Sequence, residues 1–183
     1  MAESMKGLKR THRCTELSAA NVGEEVTVMG WVQKNRNKGG IIFVDLRDRS
    51  GILQIIFEQG ADLSRAVDAE NFAKAETLRS EFVIAVVGKV ERREGNTNAA
   101  MKTGDIEVRA TQLRILSESE TPPFPVEADS KTKEELRLKY RYLDLRRPDL
   151  QEKIMMRSRV AAKIREFMTN EGFLEIETPI LNK

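Results

Sequence analysis

Five segments rich in Val and Ile, one helical segment between the third and fourth, and turn-like residues at the joins predict a mainly β fold: a five-stranded OB barrel with an inserted helix. The strands are Glu25–Val32, Ile41–Arg47, Ile52–Phe57, Phe82–Val90 and Asp105–Leu116. In the second, Ile42, Val44 and Leu46 alternate with Phe43, Asp45 and Arg47, the period of a half-buried strand. Arg47-Asp48-Arg49-Ser50-Gly51 turns the chain into the third. Ala61–Arg79 carries Leu63, Val67, Phe72, Ala75 and Leu78 at roughly helical spacing. Glu94–Gly104, with Gly95, Asn96, Asn98 and Gly104, is a polar loop between the last two strands. A mixed open sheet is the alternative, but nothing alternates in the βαβ manner of a parallel sheet.

Beyond the barrel, Ser117–Asp129 sets Pro122, Pro123 and Pro125 around Phe124, which predicts a semi-rigid, extended linker. Thr132–Leu143 reads as a helix. Pro148 suits the first turn of another over Asp149–Asn170, with an apolar stripe of Leu150, Ile154, Ala161, Ile164 and Met168. Gly172 stands where a C-cap belongs, and Phe173–Leu181 reads as a strand. The expected division is a barrel at 1–116, a Pro-rich linker at 117–131, and hinge helices opening an incomplete second domain at 132–183.

Composition narrows the function. Of the 183 residues, 33% are charged, against a typical share of roughly 25%, and no apolar run approaches the ~18 residues of a membrane span. Met1–Cys14 is basic with no apolar stretch behind it, so no signal peptide is expected. One cysteine, Cys14, and one histidine, His12, exclude a disulfide framework and a soft-ligand metal site. A soluble, cytoplasmic protein follows. The net charge is only +2, yet Lys131–Arg165 holds 12 basic residues against 5 acidic, enough to attract a phosphate backbone or simply to coat a solvated helix. Met155-Met156 reads as ordinary packing, and Gly39-Gly40 as a loop outside any phosphate-binding motif.

Phe43 shares its face with Asp45 and Arg47, and Lys34, Arg36 and Lys38 lie in the loop before that strand. An aromatic ring among charges on an OB sheet is what single-stranded nucleic acid stacks upon. Gln54, on the next strand, offers a donor and an acceptor to a base edge. On spacing alone, Phe43 packed under a loop and Gln54 bonded to backbone stay open. No nucleophile with a base, and no acid–base pair, can be argued.

Three stretches carry a resemblance. Gly30-Trp31-Val32, Phe43-Val44-Asp45-Leu46-Arg47-Asp48 and Gly51-Ile52-Leu53-Gln54 together resemble the anticodon-binding OB domain of class IIb aminoacyl-tRNA synthetases. Leu138-Lys139-Tyr140-Arg141-Tyr142-Leu143-Asp144-Leu145-Arg146-Arg147-Pro148 is similar to the hinge of bacterial-type aspartyl-tRNA synthetases. Gly172-Phe173-Leu174-Glu175-Ile176-Glu177-Thr178-Pro179-Ile180-Leu181 resembles class II motif 1. The resemblance implies a cytoplasmic homodimer that adenylates aspartate with ATP and Mg²⁺ and transfers it to the aspartate tRNA, or to the asparagine tRNA as well. It implies that Phe43 stacks on an anticodon base, that Gln54 reads one, and that Arg36 contacts the anticodon loop. Arg93 and Glu107 match two further anticodon contacts, and Pro179 matches the proline of the dimer interface. A glutamate accepts from a cytosine amino group, and an aspartate anticodon ends in cytosine. Motifs 2 and 3 are absent, so no catalytic residue, metal ligand or cofactor is expected in these 183 residues. A free-standing OB module that binds tRNA or single-stranded nucleic acid is the alternative.

Overall fold

The computed structural model describes residues 2–60, 67–93, 95 and 97–180. The chain divides into two compact units, Met1–Pro122 and Pro123–Lys183. In the first, β1 (Glu25–Asn37), β2 (Ile41–Arg47), β3 (Ile52–Glu58), β4 (Val83–Arg92) and β5 (Ile106–Ser117) close into a barrel in the order β1-β2-β3-β5-β4. All neighbours are antiparallel except β3 and β5, which run parallel. Inward positions such as Val28, Val44, Ile55, Ile84 and Val108 are fully buried, each side chain contributing about 1.5–3 kcal/mol of transfer free energy.

The helical segment is shorter than its periodicity predicts. Helix α1 (Ala69–Thr77) starts where the Asp68 carboxylate accepts the Asn71 N–H at 2.7 Å, a side-chain cap that stops the helix from extending backwards. Val67 joins the core as extended chain, bridged to Gln59; Leu63 lies outside the described residues. Phe72 and Ala75 face the core, and the buried Asn71 side chain accepts the Leu113 N–H at 2.8 Å, tying α1 to β5. Of the expected loop before β5, Glu94 and Asn96 also lie outside the described residues.

The N-terminal segment is fastened by the β2–β3 turn. Asp48 accepts from the Cys14 N–H at 2.9 Å, the Ser50 N–H at 2.7 Å and the Ser50 hydroxyl at 2.6 Å. Burial by itself would raise the Asp48 pKa, but these donors and the Gly51 N–H hold it below the usual carboxylate range. Cys14 is buried beside it, and burial first, then the Asp48 charge, push its thiol pKa far up.

In the second unit the expected single helix is two: α2 (Glu134–Lys139) and α3 (Arg141–Asp144), broken at Tyr140 with φ −113° and ψ 49°. The cause is a buried charge. Asp144 is fully buried and takes Arg141 at 2.6 Å, Arg147 at 3.1 Å and Arg137 at 3.7 Å. An unbroken helix would hold Arg137 and Asp144 about 10 Å apart along its axis. Three of the basic residues in the Lys131–Arg165 run are therefore committed to one carboxylate. Helix α4 (Pro148–Asn170) has Pro148 in its first turn and ends in a Schellman-type cap. There the Phe173 N–H reaches Met168 O and the Gly172 N–H reaches Thr169 O, both at 3.0 Å, with Gly172 at φ +87°.

Two expectations fail here. Residues 173–180 form no strand, because the described residues offer that segment no neighbouring strand to bond; Leu174 is 84% and Ile180 fully exposed. Leu181 lies outside the described residues. Met155 and Met156 are exposed rather than packed, as α4 has no buried residue. Among the described residues no helix is long and apolar enough to cross a membrane.

The lowered pKa of Asp48 makes its contribution to stability acid-labile. It is fully present above the unfolded value of about 3.9 and disappears as pH falls through the lowered folded value. In urea titrations from pH 6 to pH 2, Asp48→Asn should therefore lose less stability on acidification than the parent chain. Parallel curves would show that Asp48 makes no such contribution.

Candidate nucleic-acid interface

The candidate face is made by a defect in β1. Trp31 and Val32 pair with Arg47 and Leu46, but the register shifts between Val32 and Lys34, so Gln33 is extra. A bulge of one residue reverses which face the following side chains take. Val32 is in the core; without the bulge Lys34 and Arg36 would follow it inward. With it, Lys34 pairs with Asp45 and Arg36 with Phe43, on the outer face. Lys34 and Arg36 are thus strand residues, not loop residues as expected, and only Lys38 lies in the turn. There Gly39 and Gly40 take φ of +67° and +82°, the left-handed pair that a tight hairpin demands.

The outer face carries a connected polar chain. The Arg36 guanidinium lies 6.0 Å from the centre of the Phe43 ring, within cation–π range. Its Nη2 donates to Asp45 Oδ1 at 2.9 Å and to Gln54 Oε1 at 3.4 Å. Gln54 Nε2 donates to Glu107 Oε2 at 2.8 Å. A carboxylate only accepts, so Glu107 fixes the amide: nitrogen inward to β5, oxygen outward to Arg36. Phe43 and Arg36 are accessible, whereas Gln54 is 7% and Glu107 2% exposed. Glu107 does point away from the core that Ile106 and Val108 enter, yet its neighbours cover it.

The structure thus gathers Arg36, Phe43, Gln54 and Glu107. Arg93 stands at the end of this face, just past β4. Its N–H donates to Asp105 O at 3.1 Å, Nη2 lies 3.9 Å from Met101 Sδ, and Nε is buried without a hydrogen-bond partner among the described residues. Pro179, in the second unit, is exposed on the segment after α4. Sequence reading missed Asp45 as the anchor of Arg36; the pairing depends on the shifted register, which alternation in β2 alone does not reveal. Among the described residues no group of three His, Cys, Asp or Glu side chains is placed to hold a metal.

Comparison with known proteins agrees with this architecture. Residues 26–116 match the family model described as OB-fold nucleic acid binding domain, and residues 133–183 match that of class II tRNA synthetases (D, K and N). The chain is 73% identical over 183 residues to an aspartate–tRNA(Asp/Asn) ligase of Lachnoclostridium phytofermentans. It is 66% identical over the same length to an aspartate–tRNA ligase of Agathobacter rectalis. All of this chain is covered in both, and it spans 30% of each relative's length. Among solved structures, an aspartyl-tRNA synthetase from Entamoeba histolytica superimposes with a TM-score of 0.83 at 25% identity, covering 96% of this chain and 40% of that one. An asparaginyl-tRNA synthetase from Pyrococcus horikoshii does so with 0.78 at 26%, covering 94% and 37%.

Replacing Gln54 by Leu removes a hydrogen bond to a nearly buried carboxylate. Unfolding in urea should show a loss of about 1.5–3 kcal/mol, the value of a bond to a charged group. An unchanged midpoint would mean that the Gln54–Glu107 bond contributes nothing to the fold.

Proposed function

The chain belongs to the aspartyl-tRNA synthetase family, and from that premise we propose that its barrel, residues 1–116, reads the anticodon of the aspartate tRNA for an ATP-dependent aspartate–tRNA ligase. The observation that carries this is the ordered outer face: an accessible ring, a guanidinium beside it, and an amide oriented by a buried carboxylate. A base stacks on Phe43 in exchange for the Arg36 guanidinium, which swings toward the phosphates. The long 3.4 Å contact from Arg36 to Gln54 Oε1 is then the one a base donor replaces. Glu107 accepts from Gln54 and supplies the carboxylate that meets a cytosine amino group. Arg93, at the end of the same face, extends the contact along the loop.

In this reading, 117–131 is the linker and 132–183 opens the catalytic domain. The whole protein works in the cytoplasm, adenylating aspartate with ATP and Mg²⁺ before transfer to the tRNA. The 183 residues by themselves select tRNA and do not aminoacylate. A free-standing OB module would leave the match of 133–183 to class II synthetases without a role. The two closely similar relatives differ in name over asparagine tRNA, so charging of both tRNAs by the whole enzyme decides that point.

Binding of the aspartate anticodon stem-loop tests the reading. Phe43→Ala should weaken it by about 1–3 kcal/mol, the worth of one stacked base. Glu107→Gln should relax discrimination at one base by about 1–3 kcal/mol. The same preparation should stay at blank level in ATP–pyrophosphate exchange with aspartate. If both variants bound cognate and scrambled loops as the parent chain does, anticodon reading would be excluded.

Association follows from the second unit. Ile154, Ile164, Phe167 and Phe173 are 48–63% exposed along and just past α4, and apolar patches of this kind find partners. We expect a homodimer through 149–183, with Pro179 at the contact. Sedimentation of the chain beside a version ending at Ser117 checks it; equal association of both would remove this segment from the interface.

A further inference from the structure

The pairing of Gln54 with Glu107 crosses the shortest seam of the barrel. Strands β3 and β5 are registered only at Ile55 with Val108 and Ile56 with Arg109. By contrast, β2 and β3 are registered along their whole length, from Ile41–Glu58 to Arg47–Ile52. Gln54 and Glu107 each stand two residues before the second registered pair, so their side chains meet just past the point where backbone bonding ends.

Arg109 is bonded across this seam. It is 5% exposed, its Nη1 donates to Glu58 at the end of β3, and its Nε donates to Glu91 on β4 at 2.9 Å. A second constraint meets here. Glu91 stands directly opposite Glu107 in the β4–β5 register, on the same outer face. Like charges directly opposite repel, and burial strengthens the repulsion. The Arg109 guanidinium draws Glu91 toward its own row, away from Glu107. One planar fork thereby holds β3 to β5 and keeps a competing carboxylate off the pair that orients the Gln54 amide.

We propose that Arg109 is a positioning residue for base discrimination: by bridging Glu58 and Glu91 it sets the distance and charge balance at which Gln54 and Glu107 read the anticodon. This rests on the anticodon reading above. Arg109 itself touches no RNA. A lysine, a point charge without the fork, holds one carboxylate and not both.

The test compares two stem-loops, one with the aspartate anticodon and one with its last base changed, against the parent chain, Arg109→Met, Arg109→Lys and Glu91→Gln. Each is measured over a range of salt concentrations. The expected result is that Arg109→Met lowers the affinity ratio of the two loops by about fivefold or more, as loss of a base contact would. Arg109→Lys should fall between, and the salt slope, which counts phosphate contacts, should not move. Glu91→Gln, which removes the opposed charge but also one arm of the bridge, should lose less discrimination than Arg109→Met, and it serves as the readout if Arg109→Met does not fold. Equal weakening on both loops, or a reduced salt slope, would make Arg109 a phosphate contact and overturn the proposal. So would an unchanged ratio in a folded Arg109→Met, or in Glu91→Gln where only that variant folds. If the parent chain already binds both loops alike, it is the anticodon reading that fails.

Discussion

A sheet of five strands closes only if every strand bonds at both edges, and β1 does so by dividing its length. Its first half, Glu25 to Trp31, pairs with β4, and its second half, Trp31 to Asn37, pairs with β2. Trp31 belongs to both ladders, so the strand must bend sharply there. Gly30 lies at that bend: a Cβ on it would stand 2.4 Å from Arg47 O, closer than any side chain tolerates. The bulge at Gln33 completes the turn of the strand. Barrel closure, the removal of free edges and the outward aim of Arg36 share this one origin.

The same geometry explains why the outer face can be polar and ordered at once. A half-buried sheet face exposes side chains one by one, but on this barrel Gln54, Glu107 and Arg109 are covered and need polar partners within the face. Their partners come from three strands: Gln54 with Glu107 across β3 and β5, Arg109 with Glu58 and Glu91 across β3, β5 and β4. Buried groups so bonded are costly to displace. Arg36, half exposed and held by Asp45, is the accessible neighbour of that covered set. An exposed pair of this kind is worth only about 0–1 kcal/mol, so it holds the guanidinium weakly.

The second unit follows a different logic. Asp144 gathers three arginines and fixes the break between α2 and α3, while Arg147 also bonds Glu127 O at 3.1 Å and Asp149 at 2.7 Å. Beside that buried charge the unit buries only a few apolar side chains among its described residues, Phe124, Val126 and Leu143. Helix α4 gains nothing comparable: Ile154, Ile164 and Met168 keep the helical spacing of a core-facing stripe but meet no cover. The stripe specifies a face to be buried and leaves its partner unnamed.

Sequence by itself determined what is local. The number and order of the barrel strands, the ends of β2, the start of α4 at Pro148 and its stop at Gly172 were legible because each depends on residues a few positions apart. Phe43 was legible as an outward candidate for the same reason, since β2 alternates cleanly, whereas β3 is buried continuously from Leu53 to Phe57 and no alternation marks Gln54. What the tertiary structure decided lies across long separations. Gln54 and Glu107 are 53 residues apart, and nothing in either strand states that one will orient the other. The bulge at Gln33 appears only when β1 must serve two neighbours, so the sheet placement of Arg36 and its anchor Asp45 could not be read from its own segment. Residues 173–180 failed as a strand for the complementary reason: Leu174 and Ile176 have the alternation, but a strand exists only where another backbone accepts and donates its hydrogen bonds.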